Sequence, residues 1–477
     1  MRTMAFVVAL AAVMAAVPMG ARAEEARSLE GIWMGTLSAM GQELRVVFTV
    51  SAGEGGAYVA TMASPDQGTE GIPVQEAVLD GATVRFSVPA VAGSYTGAFG
   101  DDGRIVGTWI QSGLDIPLAL ERTAEAPVIV RPQEPQAAVS LYRSEQVTYQ
   151  NAGAGISFGG TLSMPNGDGP FPAVLLISGS GPQDRNETAF GHRPFLVLSD
   201  NLTKKGIAVL RVDDRGVGMS QGNLSQATSR DLADDVLAGV AFLKSRPEID
   251  PSCIGLLGHS EGALIAPMVA AESQDVAFIV LLAPPGLPGE EVLFDQARRI
   301  NEALGETPEA IERGRRIQEA VFEVLKTEVD GATAFEKLRT VFRESVAELP
   351  EATQAELAGS LDAFVDGQAR QVLTPWFRFY LMYDPAPALA KVKCPVLAIF
   401  GGKDLQVSPE VNREPVEKAL AEGGNTDHEV VTFDSVNHML QTAETGLPME
   451  YPKITETMSP EVMGFVDEWI VKRFGPK

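Results

Sequence analysis

Cysteine, histidine and cationic side chains are all scarce in this 477-residue chain. There are two cysteines and four histidines, and 38 Lys and Arg stand against 63 Asp and Glu, a formal net charge of −25. So acidic a surface repels phosphates, which argues against a nucleic-acid partner. It exerts no pull on anionic membranes and identifies no substrate. Neither Cys253 nor Cys394 lies in a metal-binding or catalytic pattern. An oxidising compartment would permit them to pair, but each sits just before a predicted core strand, where a free cysteine packs as a small apolar side chain. Long apolar runs are also missing. The longest, Met4 to Val17, is shorter than the about 20 residues that span a bilayer comfortably.

That first run follows Arg2 and precedes Ala21-Arg22-Ala23, small residues at the two positions a signal peptidase reads. Residues 1–23 are therefore expected to be a signal peptide. The mature chain would begin near Glu24, in a bacterial periplasm or outside the cell, with no membrane insertion after cleavage. The hydrophobic share of 45% and charged share of 21% are ordinary for globular proteins. The length exceeds what one core of about 250–300 residues organises, so more than one domain is expected.

Three styles of sequence divide the chain. From residue 24 to 124, short strands separated by glycine turns (Leu44–Val50, Tyr58–Met62, Thr83–Val88, Tyr95–Phe99, Arg104–Trp109) predict a small β-barrel or sandwich, with a hairpin at Asp101-Asp102-Gly103. Residues 125–139 carry Pro127, Pro132 and Pro135 and read as a semi-extended linker. From residue 140 to 477, apolar strands alternate with helices, the pattern of a mostly parallel sheet covered on both faces. Its strands are Ala173–Ile177, Ala208–Val212, Ile254–Leu257, Phe278–Leu282, Val396–Phe400 and, more weakly, Glu429–Phe433. About residues 287–388 show no strand pattern. There Ile317, Val321, Val324 and Leu325 share one helical face, which predicts a helical cap over the carboxyl edge of the sheet.

Chemistry concentrates at that edge. Gly258-His259-Ser260-Glu261-Gly262 stands between the strand ending at Leu257 and an apolar helix over Ala263–Ala271. The glycines permit a tight turn that lifts the serine above the sheet, and the helix amino terminus favours negative charge. A serine hydroxyl needs a base, and the base needs an acid that fixes its tautomer. Only His428 and His438 follow Ser260. His428 precedes the last strand, at the wrong end of the sheet, and reads as a solvated loop residue. His438 follows that strand, so His438 is expected to be the base. His259 is held within the turn, and His192 has a structural role. Asp404, in the loop after Val396–Phe400, is preferred as the acid over Asp434. The oxyanion donors are expected to be the backbone N–H of Glu261 and that of Ser180, with Gly181 as the alternative, the second coming from the loop Ser178-Gly179-Ser180-Gly181-Pro182-Gln183-Asp184-Arg185. That loop lacks the lysine and spacing of a phosphate loop.

With these segments in view, the chain resembles bacterial α/β-hydrolases of the esterase and serine-aminopeptidase-like branch that carries an extra N-terminal β domain. The resemblance rests on Ser178–Arg185, on Arg-Val-Asp-Asp-Arg-Gly-Val-Gly-Met-Ser at 211–220, on the Ser260 turn, and on the Asp404 and His438 loops. Ser64-Pro65-Asp66-Gln67-Gly68 and Gly107-Thr108-Trp109 are similar to that branch's β domain. The family loop commonly begins His-Gly, and Ser178 stands here in place of the histidine. The resemblance implies an α/β-hydrolase fold with a helical cap behind a small all-β domain, acting on a small-molecule ester without cofactor or metal. Amide cleavage by the same triad, or an inactive ligand-binding protein, are the alternatives. Asp213-Asp214-Arg215-Gly216 reads as an Arg215 ion pair bracing loops, or else as a substrate contact. Trp376, Phe377, Phe379, Tyr380 and Tyr383 either line an acyl pocket or form the cap's core. Oligomeric state is not legible.

Overall fold

The computed structural model describes residues 28–39, 42–111, 114–126, 131–135 and 141–475. The expected signal peptide lies outside them. Nine strands, β1 (Gly31–Ala39), β2 (Gln42–Ala52), β3 (Tyr58–Ser64), β4 (Thr69–Val74), β5 (Glu76–Asp80), β6 (Thr83–Val88), β7 (Gly93–Phe99), β8 (Ile105–Gln111) and β9 (Leu114–Thr123), form one antiparallel sheet in the order β4-β3-β2-β1-β9-β8-β7-β6-β5. The sheet curls until β3 meets β5 and β4 meets β6, as in a barrel. Strict alternation drives this. In β6, Val84, Phe86 and Val88 point inward while Arg85 faces out. The enclosed core is aromatic: Trp33, Phe48, Phe86, Tyr95 and Trp109 are buried, and the rings of Phe48 and Phe86 stack at 4.4 Å. The five strand segments named from the sequence correspond to β2, β3, β6, β7 and β8.

The second sheet contains β10 (Tyr142–Asn151), β11 (Ile156–Pro165), β12 (Phe171–Ile177), β13 (Ala208–Val212), β14 (Ile249–His259), β15 (Phe278–Leu282), β16 (Val396–Gly401) and β17 (His428–Phe433), in the order β10-β11-β13-β12-β14-β15-β16-β17. The six strands from β12 to β17 pair in parallel, and β10 and β11 join antiparallel. The β10–β11 hairpin escaped the sequence reading because Arg143, Ser144 and Glu145 make β10 look polar.

Helices α1 (Pro194–Lys204), α2 (Ser229–Ser245) and α3 (Glu261–Glu272) follow β12, β13 and β14. The cap comprises α4 (Gly289–Leu304), α5 (Pro308–Thr327), α6 (Gly331–Ala347), α7 (Glu351–Leu357), α8 (Leu361–Val372), α9 (Pro375–Met382) and α10 (Ala386–Leu389); α11 (Pro409–Glu422) and α12 (Pro460–Phe474) complete the fold. Period-two side chains send each strand into two cores. Ala173, Leu175 and Ile177 pack with α2, α3 and α11, whereas Val174 and Leu176 pack with α1 and α12. The cap has its own core, including Phe294, Val321, Phe322 and Leu325. Among the described residues no helix is long and apolar enough to cross a membrane. Cys253 and Cys394 are free and half-buried, and burial pushes each thiol up to about 11.

Phe48 is fully buried against Phe86. Phe48→Ala is expected to destabilise the β domain by about 3–5 kcal/mol, read from denaturant unfolding. A loss below about 1 kcal/mol would contradict the packing described.

Candidate functional site

β14 runs straight into the turn at Ser260, and α3 begins at the next residue. Ser260 has φ 54° and ψ −114°, a strained conformation for an L residue. Close approach imposes it. A Cβ on Gly258 would lie 2.1 Å from the Gly262 carbonyl oxygen, and one on Gly262 would lie 2.1 Å from that of Ile177. The Ser260 amide donates to the Leu282 carbonyl at 2.8 Å, which ties the turn to β15.

Ser260 Oγ lies 3.1 Å from His438 Nε2, and His438 Nδ1 lies 2.8 Å from Asp404 Oδ2. A carboxylate opposite Nδ1 keeps the proton there, so Nε2 is left to accept from the hydroxyl. Asp404 is buried, and its Oδ1 accepts the amides of Gln406 and Val407 at 2.8 Å each. Its rival Asp434 is exposed; only its backbone approaches, packed against Gly402. The His438 loop is braced by buried Asn437 and Gln441, whose side chains bond at 3.0 Å.

The other histidines separate clearly. His428 opens β17 partly buried and bonds the Asn425 carbonyl at 2.9 Å. This corrects its reading as a solvated loop residue: the strand starts one residue earlier than its apolar pattern. His192 is buried, 3.1 Å from Thr457 Oγ1 and 3.0 Å from the Tyr451 carbonyl. Burial first, and then the Arg131 charge, push it down to about 4. His259 does more than sit in the turn. Its Nε2 faces the His438 carbonyl and its Nδ1 faces Glu187 Oε1, both at 2.9 Å. The carbonyl only accepts, so Nε2 donates to it, and a carboxylate facing Nδ1 favours a second ring proton there. Burial lowers its proton affinity, but the Glu187 carboxylate outweighs this and the net shift is upward. Glu187 also accepts the Gly179 amide at 2.7 Å. Sequence reasoning missed Glu187, 72 residues from His259 in a polar loop.

Between β12 and α1, Ser178 Oγ donates to Asp214 Oδ1 at 2.9 Å, and the Gln183 amide donates to Asp214 Oδ2 at 2.9 Å. Burial pushes Asp214 up to about 7 against those two bonds. Arg185 forks onto Asp213, and Arg215 pairs with Asp235 of α2. Thus 213–215 brace the loops. The hydroxyl of Ser178 thus anchors the loop. The amides of Ser180 and Glu261 have no protein acceptor among the described residues. The Glu261 side chain turns away, buried, and accepts from Ser229 Oγ at 2.6 Å and from Trp376 Nε1 of α9 at 2.7 Å. Burial raises its pKa, with the hydrogen bonds from Ser229, Trp376 and Ser180 working against that shift.

A cavity of about 340 Å³ opens at Ser260 and His438, between the Ser180 loop and the cap. Trp376 and Tyr380 line it, their rings stacked at 5.4 Å. Phe377 instead joins the cap core, and Phe379 stacks on Tyr383 at 5.3 Å against the sheet's core. A larger cavity of about 620 Å³ lies between α4 and α5 and is lined by none of these groups. Among the described residues no cluster of three His, Cys, Asp or Glu could hold a metal ion.

A profile of the alpha/beta hydrolase family matches residues 174–445. The chain is 31% identical over 314 residues to esterase EstD of Thermotoga maritima, an alignment covering 66% of this chain and 65%, just under two thirds, of that esterase. It is 25% identical over 270 residues to an uncharacterised 31.7 kDa protein of Escherichia coli, covering 55% of this chain and 82% of that one. Among solved structures, the Pyrococcus furiosus esterase Pf2001 aligns with a TM-score of 0.41 at 18% identity, over 74% of this chain and all of that one. Est1E of Butyrivibrio proteoclasticus, solved with ferulic acid, aligns with a TM-score of 0.40 at 18% identity, over 69% of this chain and all of that one.

Glu187→Gln is expected to destabilise the folded protein by about 3 kcal/mol, because it leaves a buried cation unpaired. The shift at His259 is upward, so the pair's contribution is full below the unfolded histidine value of about 6.5 and fades as pH rises through the folded one. Unfolding free energies of wild type and variant, measured against pH, should converge on the alkaline side; a constant gap would contradict the charged pair.

Proposed function

We propose, from the premise that the chain belongs to the alpha/beta hydrolase family, that it is an exported serine hydrolase cleaving carboxylic esters through Ser260, His438 and Asp404. The observation that carries this reading is the unbroken path from Ser260 Oγ to His438 Nε2 at 3.1 Å and from His438 Nδ1 to Asp404 at 2.8 Å. Ser260 Oγ attacks the ester carbonyl carbon while His438 Nε2 takes its proton. The carbonyl oxygen, now anionic, is received by the amides of Ser180 and Glu261. His438 then gives the proton to the departing alcohol oxygen, leaving an acyl-Ser260. Water, deprotonated by His438, attacks that acyl group; the bond to Ser260 Oγ breaks, His438 returns the proton to Oγ, and the acid leaves. Asp404 keeps the imidazole in the required tautomer throughout.

Ester is favoured over peptide by the cavity walls. Glu187 is the one carboxylate among the residues lining the cavity, and it is occupied by His259 and the Gly179 amide. Cap glutamates that could recognise a peptide amine lie elsewhere: Glu302, Glu319 and Glu336 are at least half exposed and pair with arginines. No lysine or arginine lines the cavity either, which suits an uncharged ester. The likeness to EstD, named an esterase, supports the same class.

The mature protein should hydrolyse aryl esters and be labelled at Ser260 by a fluorophosphonate. Ser260→Ala and His438→Ala should each lower kcat by at least about 10³-fold; full turnover by Ser260→Ala ends the assignment. Faster hydrolysis of amino-acyl amides than of esters would favour the peptidase. Export predicts a mature amino terminus near Glu24 in periplasmic or culture fractions, read by mass spectrometry; a cytosolic chain retaining Met1 contradicts it.

A further inference from the structure

The turn Ser64-Pro65-Asp66-Gln67-Gly68 is where the β domain presses on the hydrolase domain. Gly68 has φ 61°, and a Cβ built on it would lie 1.8 Å from the carbonyl carbon of Phe190 and 1.9 Å from the Gly191 nitrogen. A Cβ on Gly191 would in turn meet the Gly68 Cα at 2.9 Å. The two backbones touch with no room for a side chain on either. Beside them Arg131, from the segment joining the domains, donates to the carbonyls of Gly191 at 3.0 Å, Phe190 at 3.3 Å, Pro452 at 2.8 Å and Ile454 at 2.5 Å. Gln133 donates to the Met458 carbonyl and accepts the Thr457 amide, and Glu134 accepts from Arg193. The described part of the joining segment is therefore docked on the hydrolase domain.

The two stretches gripped in this way, 189–193 and 448–458, contribute Ala189, Phe190 and Pro448 to the wall of the Ser260 cavity, which Trp376 and Tyr380 also line. Phe190 is held at φ 52°, a conformation that persists only where neighbours enforce it. Its ring meets Tyr451 edge-on at 5.1 Å, and the Tyr451 hydroxyl accepts from Gln406 at 3.2 Å. Gln406 also faces the cavity, and its amide donates to Asp404. Packed contacts thus run without a break from Gly68 to the edge of the reacting groups.

The geometry points to a specificity role for the N-terminal β domain: through Gly68 and Arg131 it fixes the Phe190–Pro448 wall and so sets which esters fit. The β domain touches no reacting atom; Gly68 and Arg131 are positioning residues. This rests on the ester-hydrolase reading above. An ångström of wall displacement costs a ligand that fills the cavity far more than one that does not.

The test uses the full chain with three esters: a p-nitrophenyl acetate, an ester bulky on the acyl side, and an acetate bulky on the alcohol side. Gly68→Val is expected to change kcat/KM about tenfold for at least one bulky ester, mainly through KM, with the p-nitrophenyl acetate value held within about twofold. Fluorophosphonate labelling of Ser260 should keep its wild-type rate. Phe190→Ala should alter the same bulky substrate. A folded Gly68→Val with wild-type ratios between esters overturns the inference, as does an equal loss on all three, the signature of an interface that merely stabilises. If Gly68→Val does not fold, Arg131→Gln is scored by the same ratios. Wild-type protein that neither turns over esters nor labels would end the hydrolase reading and this one with it; wild-type turnover with unchanged ratios in the variants ends this one alone.

Discussion

A serine at positive φ between a strand and a helix costs of order 1–3 kcal/mol and exists only where its surroundings leave no alternative. Here the surroundings are backbone. Gly258 is pressed onto Gly262, Gly262 onto the end of β12, and the Ser260 amide is bonded to the end of β15. Three adjacent strands of the parallel sheet therefore converge on one residue. The hydroxyl's position, the start of α3 and the direction of the Glu261 amide all follow from that convergence.

Two buried histidine–carboxylate pairs lie side by side around this turn. The His259 ring lies 5.0 Å from that of His438, and each histidine has a buried carboxylate of its own, Glu187 and Asp404. His259 also donates to the His438 backbone carbonyl, so the His259–Glu187 pair beneath the turn steadies the loop that carries His438. Glu187 also accepts the Gly179 amide of the loop beside Ser260. One ion pair thus connects the turn, the base loop and the Ser180 loop. This explains how three segments far apart in the chain keep tight relative positions.

Local pattern made much of this legible. The parallel strands appeared as apolar runs because both their faces are covered, and the Ser260 turn was marked by glycines that close backbone approach requires. Asp404 and His438 were legible from their places after β16 and β17. Features that depend on distant partners were not. Nothing beside Glu187 in the chain signals a buried anion, and the polar stretch around it resembles a solvated loop. The aromatic segment at 376–383 divided three ways in space, between cavity, cap core and sheet core, although a single helical turn separates Trp376 from Tyr380. The β10–β11 hairpin was hidden by its polar face, and the β domain's contact with the Phe190 loop leaves no mark in the sequence except a glycine.

The bond between Trp376 and Glu261 has a consequence for how the cap behaves as a body. The indole belongs to α9, and the carboxylate to the first residue of the helix that follows Ser260. Any outward swing that carries Trp376 away strips a desolvated acceptor of a donor, at a cost of about 1–3 kcal/mol. At equilibrium that thins the raised state by roughly one to two powers of ten. The cap is in this respect closer to a pinned roof than to a free hinge, and the pin enters the residue that follows Ser260.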